Sequence, residues 1–165
     1  ANIIRGNSGA NRLNGGAGVD KLFGNAGNDV LIGGSGIDDM RGGTGNDRYS
    51  VDNSRDVIRE GSNQGTDLVY SSVTYRASSN VENLSLTGSG NINGTGNSSA
   101  NIIRGNSGAN RLNGGAGNDR LVGGNGIDRL TGGVGNDTLI GGGGNDIFQI
   151  NSGTGRDLIT DYTSG

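Results

Sequence analysis

Residues 24–50 read GNAGNDVLI, GGSGIDDMR and GGTGNDRYS, which are three successive copies of one nine-residue unit. Each copy has Gly at its first and fourth positions, Gly or Asn at its second, Asp at its sixth and a large apolar residue at its eighth. A fixed period of this kind indicates that each unit packs against its neighbours to build a continuous core. The stretch therefore predicts a repeat architecture rather than an ordinary globular domain.

The unit occurs in two runs. It begins at residue 15, and a second run of four copies covers residues 114–149. A weaker copy precedes each run, with Asn11 or Asn110 where Asp would stand. We expect four segments: a first repeat block (1–50), an irregular strand-rich spacer (51–99), a second repeat block (100–151) and a C-terminal strand or cap (152–165).

The composition limits how such a chain can be stabilised. Leu, Ile, Val and Phe number 35 of 165 residues, about a fifth, a level at which chains usually bury too little apolar surface to offset conformational entropy. The 37 glycines increase that entropy cost. The sequence has no Cys and no His, which excludes disulfides, thiolate metal sites and histidine-dependent catalysis. We therefore expect ionic interactions to hold the fold together.

The net charge and the length of the apolar runs limit the partners expected for the chain. The formal net charge is -3, which argues against binding to nucleic acid, and no apolar run reaches the length of a membrane span. The first residues contain neither Met nor a signal-peptide pattern, so we expect the sequence to be part of a longer protein.

The conserved positions of the unit are suited to binding a hard cation. Glycine at the first, second and fourth positions allows positive φ, so the backbone can curl its carbonyl oxygens towards one point. At the second position of one unit, Asn25 is the residue type that best tolerates the same geometry. The Asp supplies a carboxylate, and Ca²⁺ takes 6 to 8 oxygen ligands of these two kinds. The unit therefore predicts calcium-binding turns.

The form G-G-x-G-x-D-x-U-x, where U is large and apolar, resembles the RTX family, the haemolysin-type calcium-binding repeat. The resemblance implies an all-β fold, a right-handed parallel β-roll or β-helix solenoid in which two units make one coil. The eighth-position residues, from Leu13 to Tyr49 and from Leu112 to Phe148, are expected to point inward. Units two apart are expected to stack on the same side of the roll, with calcium ions between their turns.

This stacking gives the predicted metal residues and their pairs. Asp20 pairs with Asp38, Asp29 with Asp47, Asp119 with Asp137 and Asp128 with Asp146, which makes about four full sites. Asn11 with Asp29, and Asn110 with Asp128, would form weaker end sites. Backbone oxygens are expected from the first-position glycines, which are Gly15, Gly24, Gly33, Gly42, Gly114, Gly123, Gly132 and Gly141. Asp56, Asp67 and Asp157 keep the Asp-x-U spacing without the glycine-rich turn and are interpreted as turn or surface carboxylates, not as ligands.

The resemblance implies a secreted bacterial protein that leaves the cell unfolded through type I secretion and folds on meeting extracellular calcium. An alternative function is a surface-binding module for carbohydrate, with ice the weaker candidate. Basic residues recur at the seventh position of the unit, the first outward position after the Asp or Asn. They predict a stripe that contacts acidic polysaccharide, and they are Arg12, Lys21, Arg48, Arg111, Arg120 and Arg129. Outward apolar residues such as Phe23 are expected to be covered by the spacer or by another copy of the chain. Catalysis by paired aspartates is not expected, because the Asp residues occupy near-identical turns.

Overall fold

Short strands and turns alternate along the chain. The computed structural model describes residues 1–150 and 155–161; within them there are eighteen strands and no helix. Among the described residues there is therefore no helix long and apolar enough to cross a membrane. Part of the predicted C-terminal segment, together with residue 151 of the second block, lies outside the described residues.

Every second strand belongs to one continuous parallel sheet of nine strands. In spatial order these strands are β2 (Arg12–Ala17), β4 (Val30–Ser35), β6 (Arg48–Val51), β8 (Leu68–Ser71), β10 (Asn83–Leu86), β12 (Ile102–Arg104), β14 (Arg120–Asn125), β16 (Thr138–Gly143) and β18 (Leu158–Ile159).

The remaining strands form the opposite wall, which is divided into two parallel sheets. The four-stranded sheet contains β1 (Ile3–Arg5), β3 (Lys21–Ala26), β5 (Asp39–Thr44) and β7 (Val57–Ile58). The five-stranded sheet contains β9 (Tyr75–Arg76), β11 (Gly94–Thr95), β13 (Arg111–Ala116), β15 (Arg129–Val134) and β17 (Ile147–Gln149). The predicted all-β parallel β-roll is confirmed.

The register shows that two nine-residue units make one coil. Leu13 lies beside Leu31, 18 residues later, and Leu121 lies beside Leu139. Coils of the spacer depart from this length, since β6 and β8 are offset by 20 residues, β8 and β10 by 15, and β10 and β12 by 19. The spacer nevertheless continues the same sheet, so both blocks belong to one roll.

The core is a single column of apolar side chains between the two walls. The eighth-position residues point inward as predicted and are buried, except Phe148, which is half-buried at the end of the roll. Spacer residues such as Val69, Val81 and Leu84 extend the column between the blocks. Because the spacer strands lie in line with the blocks, they do not cover the outward apolar residues, and that part of the expectation is wrong; cover by another copy of the chain stays a prediction. Phe23 instead lies between Arg5 and Arg41, whose guanidinium carbons are 4.3 and 5.4 Å from the ring centroid.

The glycines of the unit serve two different purposes. Second- and fourth-position glycines adopt positive φ, for example Gly34 at 84° and Gly36 at 142°, and Asn25 takes the second position with φ of 82°. The first-position glycines lie outside the left-handed region, so the expectation of positive φ there is wrong. They are needed for space: a Cβ on Gly15 would lie 2.5 Å from the carbonyl oxygen of Gly33 and 2.8 Å from Oδ2 of Asp20.

Two second-position glycines allow backbone strain to be separated from steric exclusion. A Cβ on Gly16 (φ 87°) would meet no atom within 4 Å, whereas a Cβ on Gly34 (φ 84°) would collide with the carbonyl oxygen of Gly16. We expect Gly16→Ala to lower the free energy of unfolding by about 1–2 kcal/mol, because Ala resists the left-handed conformation. Gly34→Ala should cost about 1–3 kcal/mol more through overpacking. Urea unfolding at saturating calcium measures both; equal losses would contradict the close stacking of the coils.

Candidate metal centres

The predicted aspartates stand immediately before a strand, at the point where a turn ends. All eight lie there, and all but the half-buried Asp146 are buried, at no more than 2% exposure. Aspartate is rarely buried to this extent unless its charge is compensated. The positions therefore require a partner for each carboxylate.

One carboxylate oxygen of each residue finds that partner in the neighbouring coil. The backbone N–H of Asp20 donates to Oδ1 of Asp38 (2.8 Å), and that of Asp29 donates to Oδ1 of Asp47 (2.7 Å). The second block repeats this arrangement, from Asp119 to Asp137 (2.8 Å) and from Asp128 to Asp146 (2.9 Å). The structure thus brings the four predicted pairs together, each as a rung of its own ladder of stacked carboxylates, with two ladders in each block.

The second carboxylate oxygen has no partner. Within the described residues, Oδ2 is buried without a hydrogen bond in seven aspartates, which are Asp20, Asp29, Asp38, Asp47, Asp119, Asp128 and Asp137. Beside Gly15, Oδ2 of Asp20 and the carbonyl oxygen of Gly33 in the next coil converge on the space that a Cβ would fill. Carboxylate and carbonyl oxygens that face each other without a donor fit a hard cation such as Ca²⁺.

Asparagine at the same position has its polar groups satisfied. The side-chain amide nitrogen of Asn110 donates to the carbonyl oxygen of Ile92 (2.7 Å) and to Oδ1 of Asn106 (2.9 Å). Its Oδ1 accepts the backbone N–H of Asn106 (2.9 Å). Asn11, the other predicted end residue, makes the same contacts with Asn7. The unpartnered oxygen therefore occurs where the ladder residue is charged, and the two asparagines close the ladders with neutral groups.

The ladders extend beyond the glycine-rich turns. The backbone N–H groups of Asp38, Asp47 and Asp137 donate to Oδ1 of Asp56 (3.0 Å), Asp67 (2.8 Å) and Asp157 (3.1 Å), respectively. Asp56 and Asp67 are buried, so they are not surface carboxylates. The Asp-x-U spacing was the available signal for these three residues. Sequence reasoning also missed Asn101, which is buried and donates its backbone N–H to Oδ1 of Asp119 (2.7 Å).

Two further carboxylates end the repeat blocks. Oε1 of Glu60 accepts the backbone N–H of Gly42 (3.0 Å), in the place where the next coil would offer a carbonyl oxygen. Asp161 does the same for Gly141 (2.9 Å) at the end of the second block. Burial and the nearby charge of Asp67 raise the pKa of Glu60 to about 7.

Burial also raises the pKa of several ladder aspartates. It raises the pKa of Asp67 and Asp119 to about 6, against an ordinary value of 3.8, although the hydrogen bond from the preceding rung lowers both. The pKa values of Asp38, Asp47, Asp128 and Asp137 rise for the same reason. The stacked turns therefore favour protonated carboxylates when no cation compensates their charge.

The structure is a parallel roll whose turns stack aspartates with unpartnered carboxylate oxygens. These features define the class of calcium-binding β-rolls. The RTX calcium-binding nonapeptide repeat matches the chain in four copies, over residues 1–31, 23–58, 95–130 and 122–159. The chain belongs to this family and is a calcium-binding β-roll module. No curated protein matches the chain.

The raised pKa values predict that acid folds the calcium-free chain. A carboxyl group whose pKa is higher in the folded than in the unfolded state stabilises the fold at low pH, and this stability is lost as pH rises through the folded value. For Asp67 and Asp119 that loss is centred near pH 6, and for Glu60 near pH 7. In chelator, far-UV circular dichroism should show β structure increasing as pH falls from about 7 to about 4. A spectrum unchanged over this range would contradict the buried ladder.

Neighbouring aspartates provide a matched pair of variants. Asp38 is a ladder residue with an unpartnered oxygen, whereas the partly exposed Asp39 pairs with Arg41 (3.5 Å) and Arg59 (3.1 Å) on the outer surface. Asp38→Asn should raise the calcium midpoint of folding about tenfold, because it removes a charged ligand. Asp39→Asn should leave the midpoint within about twofold, since exposed ion pairs contribute little. Similar midpoints for the two variants, measured by calcium titration, would argue against ligation by the ladder.

Proposed function

We propose that this chain is a calcium-dependent folding module of a secreted bacterial protein, in which it has a structural or spacer role after type I secretion. The observation that carries the proposal is the set of seven buried, unpartnered Oδ2 atoms. In each of these carboxylates, Oδ1 accepts a backbone N–H of the preceding coil, so Oδ2 cannot turn towards water without breaking the stack.

Folding of the chain is coupled to the ion because the apolar core is too thin to offset charge repulsion. Two carboxylates about 5 Å apart repel by roughly 0.8 kcal/mol in bulk water and roughly 3 kcal/mol at an effective dielectric of 20. This cost recurs at every rung, and the glycine-rich turns add conformational entropy. Calcium removes the repulsion, and extracellular modules commonly bind it in the 10⁻⁴–10⁻³ M range. The protein therefore stays unfolded where calcium is scarce and folds where it is abundant.

We infer seven calcium sites rather than the four that the repeat motif alone predicts. Each of the seven unpartnered oxygens belongs to the first member of a stacked carboxylate pair. The three additional pairs are completed by Asp56, Asp67 and Asp157. With these residues, the last glycine-rich turn of a ladder can bind an ion although no repeat unit follows that turn.

The proposed division of the chain follows from the ladders. The blocks 1–50 and 100–151 supply the repeated calcium turns, and the spacer 51–99 carries the ladder past Asp67 to Glu82, whose Oε2 accepts the backbone N–H of Asp67 (2.8 Å). The segment 152–165 supplies Asp157 to the last rung. The spacer and the C-terminal segment thus complete ladders that begin in the two blocks.

The same geometry argues against catalysis. A glycosidase holds two carboxyl groups in different environments, one protonated and one ionised, beside a substrate cleft. Here the aspartates are equivalent by repetition, and each has its Oδ1 bonded to a neighbouring backbone N–H. A cation that neutralises such a pair leaves no acid or base for chemistry, so the module is not an enzyme.

Calcium titration of chelator-treated protein tests the proposal. We expect far-UV circular dichroism to show a cooperative transition from coil to β structure with Ca²⁺, while Mg²⁺, which prefers rigid octahedral sites, should be ineffective at the same concentration. Native mass spectrometry of the folded state should find seven bound ions. A chelated protein that already has the β spectrum and does not respond to Ca²⁺ would rule the proposal out.

A further inference from the structure

Positive and negative side chains occupy different parts of the roll. The acidic ladder residues lie in the turns, whereas the outward rows of the nine-stranded sheet contain Arg12, Arg48, Arg104 and Arg120 and, in the described strands, no Asp or Glu. None of these four guanidinium groups forms an ion pair with the described residues. One wall of the roll is therefore a cationic surface.

The basic stripe predicted from the sequence is not formed as one surface. Successive units lie on opposite walls, so Lys21 belongs to the four-stranded sheet and Arg111 and Arg129 belong to the five-stranded sheet. Only Arg12, Arg48 and Arg120 share the nine-stranded sheet. Arg104 joins them from the other outward row, a position that the sequence pattern did not single out.

A shallow groove of about 350 Å³ crosses this surface in its middle. Arg48 stands at one side and Arg104 at the other, three strands apart, which is about 14 Å at the usual strand spacing. Leu68, Asn83 and Ile102 lie between them along the groove. The groove thus combines two cations at its sides with an apolar floor that also carries an amide group.

Calcium strengthens the positive character of the groove. Asp47 and Thr66 also line the groove, and Asp47 is the ladder residue that pairs with Asp67. Seven Ca²⁺ ions carry 14 positive charges, which turns the formal net charge of the chain from -3 to +11. A bound ion is the largest local charge in such a site. Calcium bound in the ladder therefore neutralises the carboxylate of Asp47, which lines the groove.

We propose that in the calcium-loaded module this groove binds acidic polysaccharide, with Arg48 and Arg104 contacting anionic groups of successive sugars. Arginine pairs with carboxylate or sulfate through two parallel hydrogen bonds. Leu68 and Ile102 can pack against the C–H faces of sugar rings, and Asn83 can bond to their hydroxyl groups. The inference rests on the proposed function in one respect, since the positive field requires calcium in the neighbouring ladder.

Two comparisons favour this surface and this ligand. On the four-stranded sheet, Arg41 and Arg59 are already paired with Asp39, so that wall is partly neutralised. Single-stranded nucleic acid is usually bound by several aromatic side chains that stack on bases. The nine-stranded sheet exposes one aromatic residue, Tyr70, at 40%. Its aliphatic and amide groups match sugars better than bases.

Fluorescence anisotropy with a short labelled hyaluronan oligosaccharide tests the groove on the calcium-saturated chain. We expect the double variant Arg48→Gln/Arg104→Gln to bind about tenfold or more weakly than the wild type, with an unchanged calcium-induced circular dichroism transition. The matched control Arg76→Gln/Arg111→Gln makes the same charge change on the five-stranded sheet and should lose less than about threefold. Labelled neutral dextran should not bind.

The outcomes separate this inference from the proposed function. A wild-type protein that folds with calcium but does not bind hyaluronan would overturn the groove and leave the folding module intact. Equal losses in the two double variants, or equally tight binding of oligothymidine, would also overturn it, because the attraction would then be unspecific. Binding that depends on Arg48 and Arg104 but is equally tight in chelator would overturn the calcium-dependent groove, and a protein whose circular dichroism does not respond to calcium would refute the folding module.

Discussion

The structure depends on one hydrogen bond that is repeated along the roll, from the backbone N–H at the end of one turn to a carboxylate oxygen of the next coil. This bond fixes the position of each ladder aspartate, as between Asp20 and Asp38 (2.8 Å), and so fixes the register of the strands that follow. It uses only one of the two carboxylate oxygens. The other is left buried among backbone oxygens and without a donor. Stacking and the need for a cation are therefore two results of the same contact, which explains why a chain with so small an apolar core can have a defined fold.

The asparagines of the ladder show what the charge contributes. Asn110 and Asn101 accept hydrogen bonds at the position of the aspartates, but their amide nitrogens donate to nearby carbonyl oxygens (2.7 and 2.9 Å). A neutral amide thus closes a ladder with its polar groups satisfied, whereas a carboxylate leaves one oxygen that needs a cation. The charge that calcium brings also reaches beyond the turns. The formal net charge of -3 counts only the side chains, so the composition alone does not describe the charge of a calcium-loaded module.

The nine-residue period was sufficient to predict the strands and the inward column from Leu13 to Phe148, whereas the resemblance to the RTX family implied the parallel stacking and, through it, the pairing of the motif aspartates. Features that depend on the distance between coils were not accessible in this way. The first-position glycines are required because Asp20 and Gly33 crowd Gly15, and no local preference for φ reveals that. Asp67 joins the ladder only because its coil is 20 residues long, and coil length is decided by turns that lack the motif. The basic residues were predicted as one stripe, but the structure divides them between surfaces because neighbouring units face opposite walls.

The two walls of the roll differ in continuity. One is a single sheet of nine strands, whereas the other is interrupted between β7 and β9. Within the described part of the chain, two features join the blocks across this interruption. They are the paired strands β6, β8 and β10 of the nine-stranded sheet and the apolar column beneath them. Tension along the axis of the roll is carried by the coils in series, so the joint with fewest backbone hydrogen bonds yields first. A protein that bears load through this module would extend at the spacer, while the calcium-bound blocks on either side keep their structure and allow the joint to close again.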